Sequence, residues 1–193
     1  MSIRKLKRFI SEKINSEISK DLSYHGLHHT LAVLESCNQY IKRLKIDSHK
    51  AHLLRTAALM HDLGILWNYS DHEAKGIEYI KNELPDWGYS KKDIEVICSL
   101  VQATKLPQQP KTLLEEIICD ADLDYLGTEN FYRIGETLYH EFKSQKIVSN
   151  RKEWNDLQIR FLENHSYHTA FARKNREPVK QKFLAELKNN NSN

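Results

Sequence analysis

Histidine and aspartate concentrate at three places in this chain. Residues 24–30 read "YHGLHHT", with His25, His28 and His29 inside five positions. Residues 58–64 read "ALMHDLG", which sets His61-Asp62 at the end of an apolar run. Residues 117–127 read "IICDADLDYLG", where Asp120, Asp122 and Asp124 again follow an apolar run. An imidazole titrates near neutral pH and suits proton transfer or metal ligation. An ionised aspartate at a buried helix end is costly unless it is paired or bound to a metal. Three carboxylates in five positions repel one another, and the helix macrodipole disfavours them at a C-terminus. A cation resolves both conflicts. His29, His61, Asp62 and Asp122 together supply two imidazoles and two carboxylates. That mixture suits a divalent ion such as zinc, manganese, iron, nickel or magnesium. Neighbouring helical residues point about 100° apart. His61 and Asp62 can therefore share one ion only near a helix end, or with Asp62 bridging two ions.

The elements that must position these residues read as helices throughout. Six glycines and four prolines punctuate 193 residues, and no run alternates with period two. Apolar spacing predicts helices over roughly 3–18, 27–44, 47–64, 70–84, 90–104, 112–127, 130–145 and 152–166, and a last one from Pro178. Asp47 or Ser48 caps the third, Ser70 or Asp71 the fourth and Ser90 the fifth; Gly64 ends the third. The third aspartate cluster is expected on one helix. The expected architecture is all-α, a single bundle of about eight helices over residues 1–193 with a disordered tail at 189–193.

Composition narrows the function classes. A net charge of +3 with scattered basic residues does not point to nucleic acid. No stretch is long and apolar enough to cross a bilayer, and the basic start has no signal-peptide core, so no membrane partner and a cytoplasmic address are expected. Cys37, Cys98 and Cys119 are odd in number and widely spaced, which argues against disulfides and thiolate zinc. Cys98 and Cys119 read as core residues.

The joint pattern His29, His61-Asp62, Asp122 resembles the HD-domain superfamily of metal-dependent phosphohydrolases, over roughly residues 23–127. The resemblance implies an all-helical fold and a divalent metal held by His29, His61, Asp62 and Asp122; "ADL" at 121–123 favours Asp122 over Asp120. "YHGLHHTLAV" is also similar to a stretch of class I cyclic-nucleotide phosphodiesterases. It implies His25 as general acid four residues before the ligand His29, the two on one helix face, with His28 at the surface. Dinuclear members carry two further histidines. His72 fills the first place, as a second-metal or phosphate contact. The other falls near Ala103-Thr104, which holds no histidine, so a weaker second metal is expected. "FLENHSYHTAF", containing His165 and His168, resembles a tail of small bacterial members and receives no role.

The resemblance implies a phosphohydrolase in which Asp62 orients the attacking water, His25 protonates the leaving oxygen and Lys105 neutralises phosphate charge. The expected partner is a small phosphorylated substrate, foremost a nucleotide, with a cyclic nucleotide as the narrower reading and room for a homodimer. The competing reading is a non-catalytic, metal-stabilised module that binds a nucleotide or regulates a partner. An intact His25 beside four ligands argues against it, because binding alone needs no acid.

Overall fold

Apolar side chains at i, i+4 and i+8 give the first helix its buried stripe. In α1 (Ile3–Glu17) these are Leu6, Ile10 and Ile14. Helices α2 (Leu27–Leu44), α4 (His72–Glu83) and α5 (Lys91–Thr104) also bury one face, while α6 (Leu113–Asp122) buries every residue from Ile117 to Ala121. Helix α3 (Ser48–Met60) differs. From Leu53 onward it buries every residue except Arg55, so little polar face remains. A helix end that is apolar on nearly all sides must be surrounded, and α3 packs against α1, α2, α5 and α6. Asp47 caps it by accepting from the Lys50 N–H at 2.9 Å, and Ser90 caps α5 by accepting from the Asp93 N–H. Each such cap contributes about 1 kcal/mol. Helix α3 stops at Met60; residues 63–66 form a separate 3₁₀ turn, so the helix does not extend to Gly64 as the spacing predicts.

The computed structural model describes residues 2–191, and among them every regular element is helical. The remaining α-helices are α7 (Phe131–Ser144), α8 (Arg151–Asn164), α9 (Ala170–Asn175) and α10 (Glu177–Asn191). The short α9 is absent from the sequence-based reading, so ten α-helices are described where nine ranges in a bundle of about eight are expected. The tail expectation also changes: α10 extends to Asn191, while positions 192 and 193 lie outside the described residues. No described helix is long and apolar enough to cross a membrane. Cys37, Cys98 and Cys119 are all buried and unbridged.

The helices gather into two compact units. One comprises the chain up to Ser19 and His25–Asp122; the other comprises Lys20–Tyr24 and the chain from Leu123 on. In the first, α5 packs against α3, α4 and α6, and α2 against α3 and α6. In the second, α10 packs against α8, α9 and the 3₁₀ turn Asp124–Gly127. Its core holds Leu126, Phe131, Leu162, Tyr167, Leu184 and Leu187.

The 161–171 stretch is a structural device within the second unit. The Tyr167 hydroxyl donates to the Leu123 carbonyl at 3.1 Å. Thr169 caps α9 by accepting from the Ala172 N–H. The His165 ring stacks on Phe161, and the His165 carbonyl accepts from the ammonium of Lys180. Lys180 is fully buried and pairs with Glu177 at 2.9 Å. The backbone of His168 likewise serves packing, accepting from Arg173.

Candidate metal centre

The end of α3 delivers the first two side chains. His61 caps the helix in helical geometry, and Asp62 turns away from it at φ −101°, ψ 2°. The break lets adjacent residues face one point. The His61 ring is fully buried, and its Nδ1 donates to the Ala58 carbonyl at 3.0 Å. That bond leaves Nε2 as the inward-facing nitrogen. His29 sits in the first turn of α2 with its Nε2 3.2 Å from His61 Nε2. Asp122, the last residue of α6, brings Oδ1 to 3.0 Å from His29 and 3.4 Å from His61. Asp62 Oδ2 lies 3.0 Å from His61 and 3.2 Å from His29.

One ligand atom from each of these four residues falls within 4.8 Å of the others. Separations of about 3.0–3.4 Å are those between neighbouring donors around an ion with arms of about 2.0–2.2 Å. Asp62 Oδ2 is buried, and no donor reaches it in hydrogen-bonding geometry. Two imidazole nitrogens and two carboxylate oxygens in a largely buried site therefore fit a divalent cation.

A second group shares Asp62. His25, Asp62 and His72 bring one ligand atom each within 4.8 Å of one another. His72 opens α4, donates Nδ1 to the Tyr69 carbonyl at 3.0 Å and points Nε2 at Asp62 Oδ1, 3.4 Å away. The His25 ring lies 5.6 Å from that of His72 and 6.1 Å from that of His29. The route to this proximity corrects the sequence reading. Helix α2 begins at Leu27 with Gly26 as its N-cap, so His25 lies outside the helix and shares no face with His29.

Charge follows the geometry. Burial opposes a charge on His61 and His29, but the facing carboxylates outweigh it and raise both above the ordinary 6.5. His72 behaves alike: burial lowers it, the Asp62 carboxylate prevails, and it rises to about 9. Burial pushes Asp122 up, but the hydrogen bonds and charges of His29 and His61 bring it down to about 2. Asp62 is held well below its usual range against the same burial cost.

The other sequence candidates go elsewhere. His28 is exposed. Asp120 is fully buried, and Asp124 lies beyond α6, where it pairs with Arg176 at 2.8 Å, so the three aspartates do not share a helix. Lys105 joins neither group; it pairs with Asp71 at 2.6 Å. Thr104 is buried and donates back to the Val101 carbonyl. Sequence reasoning passed over Glu73, a buried carboxylate with Oε1 3.5 Å from His72 Nε2. An acid in a first helical turn is ordinary, so its sequence carries no signal.

Comparison with known proteins identifies the family. The HD domain family model matches residues 26–124. A crystal structure of a predicted HD superfamily hydrolase from an uncultured Thermotogales bacterium is 22% identical, with TM-score 0.62, covering 98% of this chain and 97% of that one. Bacillus subtilis YpgQ in complex with ADP is 14% identical, with TM-score 0.64 and the same coverage. At these identities the likeness shows a shared fold. No curated protein matches. The family match spans just over half of the residues and contains His29, His61, Asp62 and Asp122, and the chain belongs to the HD domain family.

Proposed function

We propose that this protein is a metal-dependent phosphohydrolase acting on a nucleotide or a related small phosphate ester. The observation that carries the reading is the convergence of His29, His61, Asp62 and Asp122 within 4.8 Å, with an unsatisfied buried oxygen on Asp62. These four residues would hold the ion. When bound, a divalent ion there supplies Lewis acidity toward a phosphoryl oxygen and makes water a nucleophile at neutral pH.

The chain's own groups do the rest. Asp62 accepts a hydrogen bond from the attacking water and orients it. His25, close to Asp62 and His72, donates a proton to the leaving oxygen. His72 contacts a phosphoryl oxygen, and Lys105 offers positive charge by exchanging Asp71 for the substrate. The hydrolase described from the Thermotogales bacterium and the ADP bound by YpgQ support this class of reaction and ligand. The expected partner is thus a small phosphorylated molecule, with a cyclic nucleotide as a narrower case and neither nucleic acid nor membrane. A cytoplasmic location belongs to the same reading.

One observation favours a second reading. The His25, Asp62 and His72 group could hold another cation, with Asp62 shared. Metal analysis after dialysis decides between them: one tightly held ion per chain keeps His25 as the acid, and two chelator-resistant ions make it a ligand.

The main test is hydrolysis by purified, metal-loaded protein across nucleotides and phosphate esters with several divalent ions. Asp62→Ala should abolish metal-dependent turnover while circular dichroism stays helical. Wild-type rates in that variant, or no product from any ester, would remove the proposal.

A further inference from the structure

The end of α5, the loop 105–112 and the start of α6 surround a cavity of about 400 Å³. Its lining combines three chemistries. Lys105 and Lys111 carry positive charge, Gln102 and Gln109 offer amide donors and acceptors, and Leu106 and Pro107 present apolar surface. Leu106 is 55% exposed, so its side chain is accessible to a ligand. The carboxylate on the wall, Glu115, is committed to the backbone. Its Oε2 accepts from the Lys111 N–H at 2.6 Å and the Thr112 N–H at 3.2 Å. A simple anion would need the lysines but not the apolar wall. An apolar ligand would need neither lysines nor amides. A heterocycle joined to phosphate uses all three, and the volume is in the range of small-ligand sites, about 300–1,000 Å³.

One lining residue, Lys105, contacts the residue next to His72. Lys105 Nζ reaches Asp71 Oδ1 at 2.6 Å, Asp71 directly precedes His72, and His72 Nε2 is 3.4 Å from Asp62 Oδ1. We propose that this cavity binds the nucleoside part of a nucleotide whose phosphates run past Lys105 toward the His/Asp groups. The inference rests on the phosphohydrolase reading and names the part of the substrate that the metal centre does not touch. The Leu106-Pro107 wall packs on the base, the Gln102 and Gln109 amides meet its polar edge, and Lys105 exchanges its exposed partner Asp71 for phosphate.

Calorimetric binding to the manganese-loaded protein tests this. The probes are the α,β-methylene diphosphates of adenosine, guanosine, uridine and cytidine, which resist hydrolysis between the phosphates, and methylenediphosphonate, which lacks the nucleoside. The tightest nucleotide should bind at least about tenfold tighter than methylenediphosphonate. Leu106→Asp and Gln102→Ala, both at exposed positions, should each weaken that nucleotide about tenfold and methylenediphosphonate less than about twofold. Lys105→Ala should weaken both ligands about tenfold. Equal affinity for nucleotide and methylenediphosphonate, or equal losses for both in Leu106→Asp, would overturn the subsite. Failure of the hydrolase reading registers elsewhere, as no product from any ester, because these probes report binding alone.

Discussion

Asp62 turns its two carboxylate oxygens toward different imidazoles. Oδ2 faces His29 and His61, and Oδ1 faces His72. The backbone carbonyls of Ala58 and Tyr69 hold the Nδ1 atoms of His61 and His72, which leaves both Nε2 atoms directed at this one side chain. His25 stands on the His72 side of Asp62. If it acts as the acid, its loss matters only where the leaving group needs a proton. His25→Asn should then lower kcat by about 10²–10⁴ on an alkyl phosphate ester and far less on 4-nitrophenyl phosphate. Bound metal, measured by elemental analysis, should stay constant. Equal losses on both esters would rule His25 out as the acid, and a drop in metal content would reassign it as a ligand.

At the scale of elements, the step from α3 to α4 controls how His72 meets Asp62. Gly64 is the hinge of that approach. A Cβ there would lie 1.9 Å from the His72 carbonyl oxygen and 2.4 Å from the Gly76 nitrogen, and both are backbone atoms that cannot rotate away. Gly64→Ala must push α4 outward, and should destabilise the fold by about 2–4 kcal/mol in urea denaturation. Gly76, across the same contact, has only ordinary neighbours at 3.5 Å and beyond. Gly76→Ala should be neutral or stabilising by up to about 1 kcal/mol, because alanine favours a helix interior. A second element-level device is Lys180 on α10. Removing its ammonium takes one buried contact from the His165 carbonyl and one from Glu177. Lys180→Ala should cost about 3 kcal/mol in the same assay.

For the whole molecule, stability should depend on pH in opposite ways with and without metal. His29, His61 and His72 have raised pKa values in the metal-free protein, so their stabilisation is complete below 6.5. It is lost as pH rises through the raised values, about 9 for His72. Asp62 and Asp122 are depressed, so their contribution is complete above 3.8 and is lost as pH falls, toward about 2 for Asp122. A divalent ion needs the imidazole lone pairs and must displace those protons, so its affinity rises with pH. An ion at 100 times its Kd adds about 2.7 kcal/mol. For a chain of this size that raises Tm by about 5–10 °C. Scanning calorimetry should find a larger gap between metal-loaded and EDTA-treated protein at about pH 8.5 than at about pH 5.5. An equal gap at both values would exclude imidazole ligation.

The helices were legible because their causes are local. The stripe Leu6, Ile10, Ile14 and the caps Asp47 and Ser90 act within one or two turns of themselves. His61-Asp62 was legible as a costly pair at the end of an apolar run, and residue type alone named the donors. Their meeting was not local. His29 and Asp122 stand 93 residues apart, and only the packing of α2, α3 and α6 sets their atoms 3.0 Å from each other. Lys105 found Asp71 across 34 residues, and Asp124 found Arg176 across 52. Gly64 read as a helix stop, yet its role is a backbone approach that no neighbour in sequence makes. Propensity and periodicity act over a few residues and so determine elements and donor types. Distances, partners and cavities arise between elements, and only the tertiary structure decided them.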